Sequence, residues 1–430
     1  MNDKIIVYQV LTRLFGNMNT TNKAWGTKEE NGVGKFSDFT EKALLEIKKL
    51  GATHIWFTGV LHHALTTDYT AYGISNDFPA VVKGRAGSPY AIKDYYTVNP
   101  DLADNPAQRL EEWEALIART HQCGLKVIMD IVPNHVARRY ESIAKPEGVR
   151  GLGEDDDISV TYAVNNNFYY NPNEAFQLPD GIYGEYHEYP AKWTGNGARA
   201  SKPDRNDWYE TVKLNYGVRP DGTKDFAELP AGFESEDTEV HYHFWQTQTV
   251  PNTWQKFKDI VLYWLSKGVD GFRYDMAEMV PVEFWSYLNS VIKHQKPEAF
   301  LLAEVYNPNE YRPYLHLGKM DYLYDKVQLY DTLRNTVAYG HSTDAIPPIQ
   351  RELSDISDRM LHFLENHDEQ RIASPEFAGY PEKAKPAMTV STLISESPAM
   401  LYFGQEVGEK AAEWAGFGSP SRTSIFDYIG

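Results

Sequence analysis

The 430-residue chain has one cysteine, Cys123. No intrachain disulfide can staple it, so the fold must rest on its core. Cys123 closes a helical pattern and reads as a small buried side chain rather than a nucleophile. Positive charge is also scarce: 42 Lys and Arg face 60 Asp and Glu, a net charge of −18. That balance excludes a nucleic-acid partner, because phosphate contacts need a basic surface. It suits a neutral partner. Nowhere is there a run of the ~18 apolar residues that a membrane span requires. The opening IIVYQVLTRLF is interrupted by Gln9, Thr12 and Arg13. It reads as a buried strand, not as a secretory signal with its small-residue cleavage site, so the expected location is cytoplasmic. A glycine-rich phosphate loop after the first strand is missing too, which counts against a dinucleotide-binding sheet.

What is present is a 42% hydrophobic fraction and one recurring pattern. An amphipathic helix ends at a glycine and leads into a short, almost continuously apolar strand. Residues 39–50, with Asp38 as cap, precede Gly51 and THIWFTGV; residues 107–123 precede Gly124 and LKVIMDIV; residues 253–267 precede Gly268 and VDGFRYD. Glycine suits the left-handed position after a helix, and apolar runs suit strands covered on both faces. Strands are expected to start near Ile5, His54, Lys126, Val269, Phe300, Asp321, Leu361 and Met400. Eight strands alternating with helices favour a closed α/β barrel, the (β/α)8 or TIM type, over an open sheet. The third strand is followed by a long stretch rich in Gly, Asn, Pro, Asp and Tyr. A structureless loop of that length would be unusual, so residues 136–246 are expected to form an inserted domain, with the barrel in residues 1–135 and 247–430. His241 and His243 within it read as alternating strand positions rather than metal ligands.

Acids stand at four strand ends: Asp130, Asp275, Glu304 and Asp368. Charges there are costly unless paired or used. Arg273, two residues before Asp275, should share its face, and a guanidinium beside a carboxyl lowers its pKa. Asp275 then suits a nucleophile. Glu304 ends the adjacent strand, ~4.8 Å away. Retaining glycosidases hold their two carboxyls ~5–5.5 Å apart, and inverting ones farther. A Glu beside an ionised Asp suits a general acid. Asp368 would steady positive charge in the transition state.

Four segments make a resemblance specific. DIVPNH (residues 130–135), GFRYD (271–275), Glu304 in LLAEV and FLENHD (363–368) resemble, in order, the four signatures of the α-amylase family, glycoside hydrolase family 13. VKLN (212–215) is similar to that family's additional signature. The resemblance implies Asp275 as nucleophile, Glu304 as acid/base and Asp368 as stabiliser. It implies Asp130, Arg273, His135 and His367 around the sugar, and Tyr90, in SPYAIKDYY, as a stacking platform. It implies an α-glucan or maltooligosaccharide as partner and no cofactor for the chemistry. Asn134 matches a calcium ligand of the family, so a structural calcium is implied there; the run Asp155, Asp156, Asp157 reads as a solvated turn.

Two departures stand out. Where many amylases carry Lys-His, at the third and fourth positions after the nucleophile, this chain has Glu278 and Met279. Contacts to the leaving-group side must differ, which leaves hydrolysis and glucan transfer both open. The chain also ends soon after the eighth strand, so an eighth helix and the family's C-terminal β-domain are expected to be absent, as in a shortened form of a longer protein. Two rival readings are a metal-dependent barrel enzyme, which the Arg273 cluster fits poorly, and a non-catalytic glucan-binding protein, which the intact carboxylates oppose. Nothing in the sequence sets an oligomeric state.

Overall fold

The structure is a computed structural model that describes residues 4–411 and 422–429. Eight parallel strands form one sheet: β1 (Ile6–Leu11), β2 (His54–Thr58), β3 (Lys126–Ile131), β4 (Gly271–Tyr274), β5 (Phe300–Ala303), β6 (Tyr322–Tyr324), β7 (Met360–Leu361) and β8 (Ala399–Tyr402). They pair in sequence order from β1 to β7, and β8 pairs with β1. One parallel bridge, His362 to Ala399, joins β7 to β8 and closes the ring. Each gap between successive strands carries a helix that packs on the barrel: α1 (Glu41–Lys49), α2 (Arg109–Gln122), α3 (Asn252–Ser266), α4 (Val282–Gln295), α5 (Tyr311–His316), α6 (Asp331–Tyr339) and α7 (Pro381–Leu393), with shorter helices such as Ile346–Glu352 beside them. The expectation about an eighth helix falls partly on residues 412–421, outside the described residues.

Alternation along the strands builds two cores. Val7, Trp56, Ile128, Leu302, Tyr324 and Leu361 cluster inside the barrel. Their chain neighbours Tyr8, Ile55, Val127, Leu301 and Leu323 pack outward with helix residues Leu44, Trp113, Phe257 and Leu288. Period-two alternation with apolar residues on both faces is what a strand between barrel interior and helix layer requires. After α2 and α3 the chain turns through Gly124 and Gly268, at φ +71° and +101°, where a Cβ would be strained.

Two local expectations are corrected. The cap of α1 is Thr40, whose hydroxyl accepts from the Ala43 amide at 3.2 Å. Asp38 instead accepts from the Lys35 amide at 2.7 Å and closes its own short turn. His241 and His243 lie on a helix, Thr238–Gln246, not on a strand. Asp237 caps that helix by accepting from the Val240 amide at 3.0 Å. It packs against α4, where Ser286 Oγ meets His241 Nδ1 at 2.7 Å and accepts from Trp245 Nε1 at 2.8 Å.

The long stretch after β3 carries short antiparallel ladders, His135–Ala137 with Thr211–Lys213 and Tyr170–Asn171 with Ala191–Lys192. It leaves from the same barrel end as the acids. Among the described residues, no helix is long and apolar enough to cross a membrane.

Candidate active site

Register brings the charged residues together. Arg273 of β4 is level with Asp130 of β3 and Leu302 of β5. Its side chain is fully buried and its guanidinium is shared. Nη1 donates to Asp275 Oδ1 at 3.0 Å and to Asp130 Oδ1 at 3.2 Å. Nη2 donates to Glu304 Oε2 at 2.9 Å, and Nε to the Tyr324 hydroxyl at 3.3 Å. The rings of Trp56, Tyr90 and Tyr324 enclose it at 5.1, 5.5 and 5.7 Å. Trp56 Nε1 also donates to Asp130 Oδ2 at 2.8 Å.

β4 ends in a sharp turn at Met276, at φ +46°. A left-handed conformation costs a side-chain-bearing residue ~1–2 kcal/mol. Here it aims the Met276 amide at Glu304 Oε2, 2.9 Å away. Tyr306, two residues beyond Glu304, hydrogen-bonds the same carboxyl. Asp368 follows Asn366, whose Oδ1 accepts from the Asp368 and Glu369 amides at 2.9 and 3.0 Å. His367 meets Gln9 Nε2 through Nδ1 at 2.8 Å. Its Nε2 is 2.5 Å from the Tyr90 hydroxyl and 3.2 Å from Asp368 Oδ2. Gln9 has only N–H bonds to offer from that nitrogen, so Nδ1 accepts and Nε2 carries the proton.

The electrostatics depart from the expected lowering of Asp275. Burial pushes its carboxyl well above the ordinary 3.8; Arg273 opposes this, while Glu304 and Asp130 push upward. One guanidinium divided among three carboxylates at the buried barrel mouth does not outweigh desolvation. Burial likewise pushes Asp130 up to about 6, against Arg273, and raises Asp368. Burial, aided by Arg273, pushes His367 down to about 3, and burial with Lys213 takes His135 to about 3. Both imidazoles are neutral.

Asp275, Glu304 and Asp368 open together into a cleft of ≈340 Å³, with Tyr90, His135, Tyr306 and Trp208 on its walls. Tyr90 stacks on His367 at 5.3 Å between ring centroids. Asp130, Arg273 and His367 are buried behind these walls. Lys83 and Trp208 also belong to a larger groove of ≈1010 Å³ whose rim carries Trp25 and Tyr183. Trp25 and Tyr183 are 67% and 89% exposed. Trp25 and Trp208 both hold positive φ, +57° and +50°.

The implied calcium fits poorly at Asn134. Its Oδ1 accepts from the Lys213 ammonium, and its Nδ2 donates to the Gly195 carbonyl at 2.9 Å. A donor-only cation holds the oxygen that calcium would need. Asp156 is engaged by the Asn167 and Phe168 amides at 2.7 and 3.0 Å, and Asp155 by Arg150. The expected solvated turn is therefore half right: Asp155 and Asp157 are exposed, whereas Asp156 holds the loop together. Among the described residues no group of three or more His, Cys, Asp or Glu is arranged to hold a metal ion.

Glu278, noted above as a departure, is half-buried and bonded to the backbone. Its Oε2 accepts from the Tyr306 and Asn307 amides, both at 3.0 Å. It thereby clamps the loop that follows Glu304. Gln9, Trp56, Tyr306 and Trp208 escaped sequence reasoning. Tyr306 had one legible signal, its two-residue spacing from Glu304; the others depend on distant pairings.

A family model described as "Alpha amylase, catalytic domain" matches residues 9–422. Alpha-amylase 3 of Dictyoglomus thermophilum is 24% identical over 339 residues, 75% of this chain and 54% of that protein. An alpha-1,4-glucan:maltose-1-phosphate maltosyltransferase of Cereibacter sphaeroides is 35% identical over 138 residues, 32% of this chain and 22% of its own. The chain thus spans about half the length, or less, of these curated relatives. The crystal structure of an alpha-amylase from Lactobacillus plantarum aligns with a TM-score of 0.58 at 22% identity, covering 99% of this chain and 75% of that one. That likeness shows the fold.

Proposed function

The chain belongs to the α-amylase family, and from that premise we propose that it is a retaining glycosidase that cleaves α-linked glucans or maltooligosaccharides. Asp275 attacks the anomeric carbon while Glu304 gives its proton to the departing oxygen. A covalent glycosyl-enzyme forms; Glu304 then takes a proton from the incoming water, and hydrolysis releases the sugar with its configuration retained. Asp368 stabilises positive charge at the ring between these states. Tyr90, His135 and His367 line or support the sugar site, and the stretch 136–246 forms one wall of the cleft.

The observation that carries this reading is the sharing of one guanidinium. Asp275 and Glu304 bind its two arms at 3.0 and 2.9 Å from adjacent strands, which favours the shorter, retaining separation. The chemistry itself calls for no cofactor.

Asp275→Asn and Glu304→Gln are each expected to lower turnover of maltooligosaccharides at least ~10³-fold with the circular dichroism spectrum unchanged. Turnover near wild type in either variant removes the assignment. A second reading, glucan transfer, draws support from Glu278 and Met279 at the leaving-group side and from the maltosyltransferase relative. Chromatography of the products from one defined maltooligosaccharide separates the two: longer chains than the substrate mean transfer.

A further inference from the structure

Lys213 is the register partner of His135 across a short antiparallel ladder. Its ammonium reaches two barrel loops. It donates to Asn134 Oδ1, in the loop after β3, and to the Met279 carbonyl at 3.2 Å, in the loop after β4. An ammonium has three donors and no lone pair, so the atom of Asn134 that faces it is the oxygen. The amide nitrogen must then face the other way. There it lies 2.9 Å from the Gly195 carbonyl and 3.1 Å from His135 Nδ1. A carbonyl can only accept, which agrees with this orientation, and a ring nitrogen met by an N–H must be unprotonated. His135 is neutral, so its single proton sits on Nε2. On its other side the ring is held by the Tyr90 backbone, and both His135 and Tyr90 line the cleft.

We propose that Lys213 is a positioning residue whose ammonium takes the place of a bound cation between two barrel loops and, through Asn134, fixes the Nε2–H tautomer of His135. The chain of contacts runs from the inserted stretch, through Asn134, to a wall of the cleft. Only its effect on turnover rests on the glucan reading above; the tautomer and the cation's place do not.

The test uses the full chain labelled with ¹⁵N-histidine, with His135 assigned from the spectrum of His135→Gln. Wild type is expected to show His135 protonated at Nε2 alone. Lys213→Arg, still a donor-only cation, keeps that signature. Lys213→Met leaves the Gly195 carbonyl as the Asn134 amide's one remaining anchor, so the Nδ1–H tautomer enters the population, and kcat/KM on maltoheptaose falls about 10–100-fold, the range for losing an outer-shell orienting contact. Added calcium does not restore it. Lys213→Asp places a carboxylate beside the Asn134 and Met279 oxygens, a donor set calcium accepts. Its Tm should rise with CaCl2 and fall with EDTA, while the wild-type Tm responds to neither. An Nδ1–H tautomer in wild type, an unchanged ring in Lys213→Met, or a wild-type Tm that falls on chelation overturns the proposal. If Lys213→Met does not fold, wild type and Lys213→Arg still decide the tautomer. If wild type shows the stated tautomer but degrades no α-glucan, the glucan reading fails and this one stands.

Discussion

Asp275, Glu304 and Asp130 lean on a single guanidinium, and burial outweighs what that guanidinium can do for Asp275. The proposed nucleophile, Asp275, must be ionised to attack. Burial, assisted by the neighbouring carboxylates, raises its carboxyl well above the ordinary 3.8 despite Arg273. As pH falls through that raised value the ionised fraction drops, so activity is lost earlier than for a free carboxyl. The acid limb of kcat/KM, which reports the free enzyme, is expected clearly above pH 4. His367 sits at about 3 and His135 at about 3, so neither ring sets that limb. A pH profile in which half-maximal activity survives to pH 4 contradicts this assignment. Glu278 supports a second residue-scale prediction. Its carboxylate holds the Tyr306 and Asn307 amides, and Tyr306 touches Glu304. Glu278→Gln keeps an acceptor and should stay within about threefold of wild type. Glu278→Ala frees both amides, removing about 1–3 kcal/mol of local hydrogen bonding, and should cost about tenfold in kcat with KM little changed.

At the scale of elements, the junction of barrel and inserted stretch is held by charge on lysine. Lys256 on α3 donates to the Gly151 carbonyl at 2.6 Å and to Asn167 Oδ1 at 2.7 Å. Asn167 in turn donates to Asn252 and Thr253 at the start of α3, at 2.9 and 3.1 Å. Lys256→Met strips a buried donor from both acceptors and is expected to cost about 2–3 kcal/mol, read from the midpoint of urea unfolding. A loss below ~0.5 kcal/mol would mean that water replaces the ammonium freely. Such contacts join residues far apart in the chain, which is why they were illegible beforehand. The strands and barrel helices were legible because both carry local signals: glycine after the helix, apolar runs in the strand. Misreadings arose where two local signals competed. TEVHYHFWQ alternates enough to pass for a strand, yet Asp237 caps it as a helix. Asp38 and Thr40 could each cap α1, and the hydroxyl nearer the first turn does so. Likewise the acids at strand ends were visible from position alone, whereas the lowering expected for Asp275 failed because burial cannot be read from a neighbour two residues away.

On the scale of the whole molecule, cleft and groove share Lys83 and Trp208 in their linings. Left-handed backbone at a tryptophan is strained, and such strain gathers at ligand clamps; Trp25 and Trp208 both show it here. A glucan of several units would run from the cleft onto these rings. Trp25→Ala and Tyr183→Ala are expected to lower kcat/KM about tenfold on maltoheptaose and to leave maltotriose turnover unchanged. Equal losses on both substrates would place the two rings outside the sugar path. The barrel's closure has its own consequence, which concerns time. The β7 strand spans two residues, and a single bridge at His362 and Ala399 completes the ring. Until Ala399 leaves the ribosome, β1 has one neighbour and an open edge. At ~5–20 residues per second that wait lasts roughly 20–80 s. Throughout it the nascent chain is a curled, unfinished sheet with a sticky margin, and its passage to the finished ring depends on a strand made nearly four hundred residues after its partner β1.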